Sequence, residues 1–215
     1  NSMASNYYNT AHLIDENRIL KSSYQKQELV PFFEYLPGEK QWPFLRELFP
    51  DALRYIPGNE TNLLHLDANV RIIPLICYET IFPKLTQEFV QKGGNIIINL
   101  VNDIWLGDQW ASSYHFAVGL FRSIEHRVPW VRVSNSGISG KVSATGAIDN
   151  KSLTAQQVIA TRVFDVEIPS ERSFYSKHGD IFLYGLIAVM LFGTSNDKLR
   201  KVFNTARNAS NESAI

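Results

Sequence analysis

The chain has one cysteine and two methionines, and its 21 Lys+Arg are balanced by 21 Asp+Glu. One cysteine excludes an intrachain disulfide framework and a zinc site built from thiolates. Balanced charge argues against a nucleic-acid binder held by counterion release. No HExxH, Walker or GxGxxG pattern occurs, so neither a metal nor a nucleotide cofactor is expected. There is no internal repeat and no low-complexity block. No uncharged apolar run reaches the ~20 residues of an ordinary transmembrane helix. What remains is a chain of 215 residues, 45% hydrophobic, 12% aromatic and 20% charged. That composition is globular, and the length suits one domain or slightly more with a real core.

Apolar runs of two kinds alternate along the middle of the chain. Val70–Cys77 and Asn95–Val101 are nearly continuous apolar strands, as expected where both faces of a sheet are covered. Between them Phe82–Lys92 reads as a helix ending at Gly93-Gly94. Ser112–His126 is a second helix, with Phe116, Leu120 and Ile124 at four-residue spacing. Tyr7–Ile14, Trp130–Ser134, Val142–Ile148 and Val158–Ile168 read as further strands, with a turn at Gly137–Gly140. The strand–helix–strand order argues α/β layers. Pro31, Pro37, Pro43, Pro50 and Pro57 mark Glu28–Asn62 as loop-rich ground of the kind that builds sites.

The two ends differ. Asn1–Asn6 is small and polar and does not read as a signal peptide. A chain that opens so close to a strand is expected to have lost something upstream. Near the other end Ile181–Asn196 is uncharged throughout. At 1.5 Å per residue this segment gives about 24 Å of helix, short of a ~30 Å bilayer core. A core helix, a membrane-surface helix and a spanning helix all compete for it. Lys198, Arg200, Lys201 and Arg207 follow, and for a spanning helix they favour a cytoplasmic C-terminus.

The lone thiol, Cys77, ends a buried strand. A free cysteine is among the most buried residue types, so core filling is one reading. Strand C-termini are also where α/β folds place ligands, so a nucleophile is the other. A useful thiolate needs a cation and a base nearby. Lys26 offers the charge, and Glu34 sits in a Pro-bounded aromatic loop where a carboxylate has no obvious packing role. His115 reads as a packed helix histidine. Arg122 and Glu125, three apart on one helix, read as a pair. Asn102-Asp103 suits either a site wall or a turn.

Taken together, the motifs resemble the nitrilase, or carbon-nitrogen hydrolase, superfamily, and within it most closely the bacterial apolipoprotein N-acyltransferases. The resemblance is carried by Tyr24-x-Lys26-x-x-Leu29-Val30-Pro31-Phe32-x-Glu34-Tyr35-x-Pro37, Ile76-Cys77-Tyr78-Glu79 and Asn102-Asp103-x-Trp105. It continues through His115, Arg122-x-x-Glu125 and Asn135-Ser136-Gly137-Ile138-Ser139, then more faintly through Phe174-Tyr175-x-x-x-Gly179-Asp180. It implies a four-layer α-β-β-α sandwich over residues 1–175, N-terminally truncated, a membrane helix over 176–196 and a polar basic tail over 197–215. It implies a Glu–Lys–Cys triad with Cys77 as nucleophile, Lys26 as its lysine and Glu34 as a second glutamate beside it. Tyr78, Glu79 and Trp105 match positions that support the substrate or transition state.

The implied reaction is acyl transfer without a cofactor. A fatty acyl chain passes from a phospholipid, through a Cys thioester, to the N-terminal amine of a diacylated apolipoprotein. The implied setting is the bacterial inner membrane, with the catalytic domain facing the periplasm and the tail cytoplasmic. A soluble nitrilase-type amidase and a catalytically dead binding domain are the alternatives. Two departures stand out. Phe33 replaces a small residue before the loop glutamate. The triad's first glutamate and the preceding membrane helices have no counterpart here, because Glu16, the only glutamate before Lys26, lies in a polar turn. The chain is therefore expected to be the C-terminal part of a longer enzyme and inactive alone.

Overall fold

A computed structural model describes residues 7–107 and 109–193, the side chain of Leu106 excepted. It divides into two units, the first ending at Ser176 and the second beginning at Lys177. In chain order the elements begin with the strands β1 (Thr10–Ile14) and β2 (Leu20–Gln25), the short helix α1 (Leu45–Leu48), and the strands β3 (Leu64–His65) and β4 (Arg71–Ile76). A 3-10 turn over Cys77–Ile81 leads into α2 (Pro83–Gln91) and β5 (Ile96–Val101). After a second 3-10 turn (Ile104–Leu106) come α3 (Gln109–His126), β6 (Trp130–Ser134), β7 (Gly140–Val142), α4 (Phe174–His178) and α5 (Ile181–Gly193).

The main sheet has five strands in the order β3-β4-β5-β6-β7. Its centre is parallel, with Ile73 opposite Ile97 and Ile98 opposite Val131, and both edges are antiparallel. Parallel neighbours need a crossover, and the helices α2 and α3 supply it. β1 and β2 form a separate antiparallel hairpin with Ala11 opposite Tyr24. Ala11 and Tyr24 of the hairpin, Ile73, Leu75 and Ile97 of the sheet, and Leu85, Phe89 and Phe116 of the helices share one buried cluster. The expected α/β class therefore holds, with two sheets and covering helices. Among the described residues the second sheet has only two strands.

Several expectations need correction. β2, which carries the chain into Lys26, is a strand that the polar LKSSYQ sequence conceals. Its alternation is broken because just one side chain, Tyr24, reaches the core. Val158–Ile168 is not a strand. Its apolar content suits one, but a strand exists only where a ladder partner satisfies its backbone, and none of the described strands pairs with it. Ile159 and Val163 stand fully in solvent instead. Val142–Ile148 is a tight turn closed by one bridge between its ends.

The helix expected over 176–196 is interrupted at Gly179, φ +57°, which separates α4 from α5. No helix among the described residues is long and apolar enough to cross a membrane. The 13 residues of α5 make about 20 Å of helix. They are exposed from Ile181 to Phe192. Residues 194–196 and the basic tail lie outside the described residues.

Gly119 fixes the seat of α3 on the sheet. A Cβ there would lie 2.6 Å from the indole of Trp130, which is completely buried and cannot yield. Gly119→Ala gains about 1 kcal/mol of helix propensity but overpacks the core by about 1–3 kcal/mol. A net loss of stability is expected, read as a lower urea midpoint with an unchanged slope.

Candidate active site

Cys77 stands where β4 ends. Its backbone is left-handed, at φ +52°, a conformation that costs a non-glycine residue about 1–3 kcal/mol and persists only where its surroundings impose it. Two clusters of buried polar groups supply that constraint.

The first is built on Glu79, which is fully buried. Its carboxylate accepts the Ile76 N–H (2.8 Å), the Tyr24 hydroxyl (2.6 Å), the Gln27 N–H (2.7 Å) and the Glu28 N–H (3.2 Å). Burial pushes the Glu79 carboxyl up, against the pull of these donors. Tyr24 is pushed up as well, by burial and by the neighbouring charge of Glu79, so its hydroxyl keeps its proton and donates. Glu79 thus ties the residues just before Cys77 to those flanking Lys26.

The second cluster centres on Asp103. Arg132 Nη2 lies 2.6 Å from its Oδ2 and His115 Nδ1 lies 3.1 Å from its Oδ1. The hydroxyls of Ser112 (2.8 Å) and Ser134 (3.2 Å) also donate to it. Burial opposes ionisation of Asp103, but the hydrogen bond from His115, the charge of Arg132 and the Ser112 hydroxyl outweigh it and hold the carboxyl down at about 2. His115 Nε2 lies 3.2 Å from the Cys77 carbonyl oxygen, and Asn99 Nδ2 lies 3.5 Å from the same oxygen. Gly137 completes the packing, because a Cβ there would stand 2.0 Å from Asp103 Oδ2.

In front of the thiol is a cavity of about 520 Å³, and Lys26, Glu34, Cys77, Asn102 and Trp105 all line it. Lys26 is 1% exposed, and its Nζ lies 2.7 Å from Glu34 Oε2. Glu34 also accepts the Val30 N–H (2.8 Å) and the side-chain amide of Asn9 (3.2 Å). The loop that delivers it turns at Phe32, φ +63°, which leaves Phe32 and Phe33 facing outward while Glu34 is buried. Phe33 stacks on Trp105 at 5.5 Å, so the departure noted at this position gives the cavity an aromatic wall. Burial pushes the Cys77 thiol up, and the charge of Lys26 only partly offsets it. A thiol so placed stays protonated near neutrality and needs a base to react. Among the described residues lining the cavity, Glu34 is the only carboxylate.

Lys26, Glu34, Cys77 and Trp105 therefore share one cavity. Tyr78 and Glu79 do not line it. Tyr78 is half-buried edge-on against Phe82, and Glu79 works from within the core. Asn9, Leu53 and Tyr55 line the cavity unanticipated, since nothing in their local sequence sets them apart. The Asp103–His115–Arg132 cluster was hidden in the same way, although Asn102-Asp103 and His115 both fall in the motifs quoted above. Arg122 and Glu125 do pair, at 2.7 Å.

The pH dependence of stability separates two buried groups. His126, pushed down to about 4 by burial and by Arg122, binds a proton more readily when unfolded, so it destabilises the fold as pH falls from 6.5 toward 4. Asp103, ordinarily 3.8 and here about 2, contributes in full above 3.8. That contribution, about 2 kcal/mol, is lost as pH falls from 3.8 through 2. Asp103→Asn is expected to flatten the stability curve below pH 4 while leaving the limb between pH 6.5 and 4 intact, as read by urea unfolding across pH.

A 182-residue stretch is 32% identical to the apolipoprotein N-acyltransferase of Geobacter metallireducens, covering 85% of this chain and 34% of that protein. The Bdellovibrio bacteriovorus apolipoprotein N-acyltransferase is 37% identical over 149 residues, 67% of this chain and 27% of its own. The chain thus spans about a third of the length of these curated relatives. Among solved structures, a nitrilase-superfamily amidase of Nesterenkonia AN1 aligns over 64% of this chain and 49% of its own, at 19% identity and a TM-score of 0.46. The carbon-nitrogen hydrolase family model matches residues 2–161. With most of its length matched in this way, the chain belongs to the carbon-nitrogen hydrolase family.

Proposed function

We propose that this chain carries the acyl-transfer centre of an apolipoprotein N-acyltransferase. The observation that supports it most is the convergence of Lys26, Glu34 and Cys77 on one aromatic-walled cavity. The relatives that match the chain carry that name. In this reading Cys77 sulfur, once deprotonated, attacks the ester carbonyl of a phospholipid. The carbon–oxygen bond breaks, a lysophospholipid leaves, and the acyl group stays on sulfur as a thioester. The amine of a diacylated lipoprotein's N-terminal cysteine then attacks the thioester. An amide forms and the thiolate is released.

The Lys26 ammonium, with the backbone N–H after the nucleophile, stabilises the oxyanion of both steps. Glu34 holds that ammonium in place. Proton removal from Cys77 falls to the further glutamate that the resemblance assigns upstream of the Lys26 motif. Glu79 supports the site from behind by tying β2 to the nucleophile turn, while Trp105 and Phe33 face the acyl chain.

Membrane association through the uncharged segment Ile181–Asn196 fits the same reading, since α5 exposes Ile181, Leu183, Leu186 and Leu191 with no charge among them. The setting is the bacterial inner membrane, with the cavity on the periplasmic side and the basic tail cytoplasmic. A soluble amidase of the same superfamily would share Lys26 and Cys77, but the exposed α5 disfavours it.

The test is mass spectrometry of the longer enzyme to which this reading assigns the chain, incubated with phospholipid in detergent. An acyl adduct on Cys77 that neutral hydroxylamine removes is expected, absent in Cys77→Ala. Lys26→Met is expected to slow its formation by about 10²–10³-fold. Lipoprotein N-acylation that survives Cys77→Ala would exclude this nucleophile.

A further inference from the structure

Phe33 and Trp105 come from separate loops and meet in the wall of the cavity that holds the thiol. We propose that Phe33 is a specificity-determining residue: stacked on Trp105, it sets the width of the slot in which an acyl chain lies beside Cys77, and it excludes donors branched next to the ester carbonyl. The inference rests on the acyl-transfer reading and deepens it.

The stack spans the reacting centre. Phe33 directly precedes Glu34, whose carboxylate holds the Lys26 ammonium at 2.7 Å. At the other end, the Trp105 side chain is within hydrogen-bonding reach of the Cys77 sulfur. The two rings lie 5.5 Å apart, 22° from parallel. A carbonyl bonded to the sulfur, with its oxygen turned to Lys26, therefore sits between the two ends of the stack. The first carbons of its chain leave along the rings.

Neither ring is free to step aside. The Phe33 carbonyl accepts the Leu53 N–H at 2.7 Å, and the Glu34 carbonyl accepts the Tyr55 N–H at 2.9 Å. The Glu34 N–H donates back to the Val30 carbonyl at 2.8 Å, so the backbone under Phe33 is pinned on both sides. Trp105 sits in a 3-10 turn whose entry is tied as well. Asn102 Oδ1 accepts the Ile104 N–H (3.2 Å) and Asn135 Oδ1 accepts the Asp103 N–H (3.1 Å). Packing this constrained responds to single methyl groups. An unbranched chain lies flat along an aromatic face, whereas a methyl on the carbon beside the carbonyl projects into it. One methylene in an apolar pocket changes kcat/KM by about 10–200-fold. Phe33 is 44% exposed, so its truncation opens the slot without emptying the core.

The test is a competition in the longer enzyme. Two phospholipids are offered in equal amounts in detergent, one with hexadecanoyl chains and one with α-methylhexadecanoyl chains. Mass spectrometry of the Cys77 peptide reads the two thioesters, which differ by one methylene. The straight-over-branched ratio is expected to fall at least about tenfold in Phe33→Ala and to hold in Phe33→Tyr, which keeps the ring. A loop that is merely disturbed slows both donors alike and leaves the ratio where it was. An unchanged ratio in Phe33→Ala, or an equal fall in Phe33→Tyr, overturns the proposal. A second pair needs no acyl transfer: iodoacetamide and its α-methyl homologue compete for Cys77, read on the same peptide. Their intrinsic reactivities cancel between variant and parent. The preference for iodoacetamide is expected to fall in Phe33→Ala, and an unchanged preference overturns the proposal. If neither phospholipid acylates Cys77 in the unsubstituted enzyme while the alkylation preference falls as expected, the acyl-transfer reading fails and Phe33 still sets the width of the slot.

Discussion

A carboxylate with no access to water holds this site together. Glu79 receives hydrogen bonds from both sides of the cavity floor: from Tyr24, Gln27 and Glu28, which surround Lys26, and from Ile76, which precedes Cys77. An ionised group in such a place is costly unless its acceptor capacity is filled, and here four donors fill it. Those donors come from segments about fifty residues apart in sequence. Their convergence fixes the distance between hairpin and sheet, and with it the distance between ammonium and sulfur. Lys26 and Glu34 then close a buried pair of their own. Removing one member of such a pair would leave the other charged and dry, which is far worse than never having buried either.

The two polar clusters divide the work. Glu79 sets the relation of lysine to nucleophile. Asp103, Arg132, His115 and Asn99 set the conformation of the nucleophile itself, from the opposite side of the turn. Between them Cys77 is kept largely out of solvent, with its thiol above the ordinary range. That arrangement suits a group that should react with a bound ester and not with passing electrophiles, because the thiolate forms only when charge within the cavity favours it.

Much of this was legible in the sequence, and the limits have physical reasons. Val70–Cys77 and Asn95–Val101 announced themselves because a central parallel strand is apolar on both faces. α2 and α3 were legible from their spacing and from the glycines after α2. Lys26, Glu34 and Cys77 were legible as a set, since their order and spacing match a family, although singly each is a common residue in a common context. β2 was missed because a hairpin on the outer face needs few buried side chains. Asp103, His115 and Arg132 come from three separate elements, and no local pattern marks charges that meet only after the sheet has formed. Val158–Ile168 misled in the other direction, since it has the composition of a strand without a neighbour to make it one.

That unpaired stretch bears on how the protein behaves in solution. Its apolar side chains, Ile159 and Val163 above all, stand in water beside backbone that no described strand pairs. Bare apolar side chains beside unpaired backbone invite addition of another strand, whether from elsewhere in a longer polypeptide or from a second molecule. Charge is the usual guard against such pairing, and here it falls to Arg162, Asp165 and Glu167, the charged residues between Val158 and Ile168. Concentration and ionic strength therefore govern how long the isolated chain stays monodisperse, and any neighbour that covers this edge also acts as its solubilising partner.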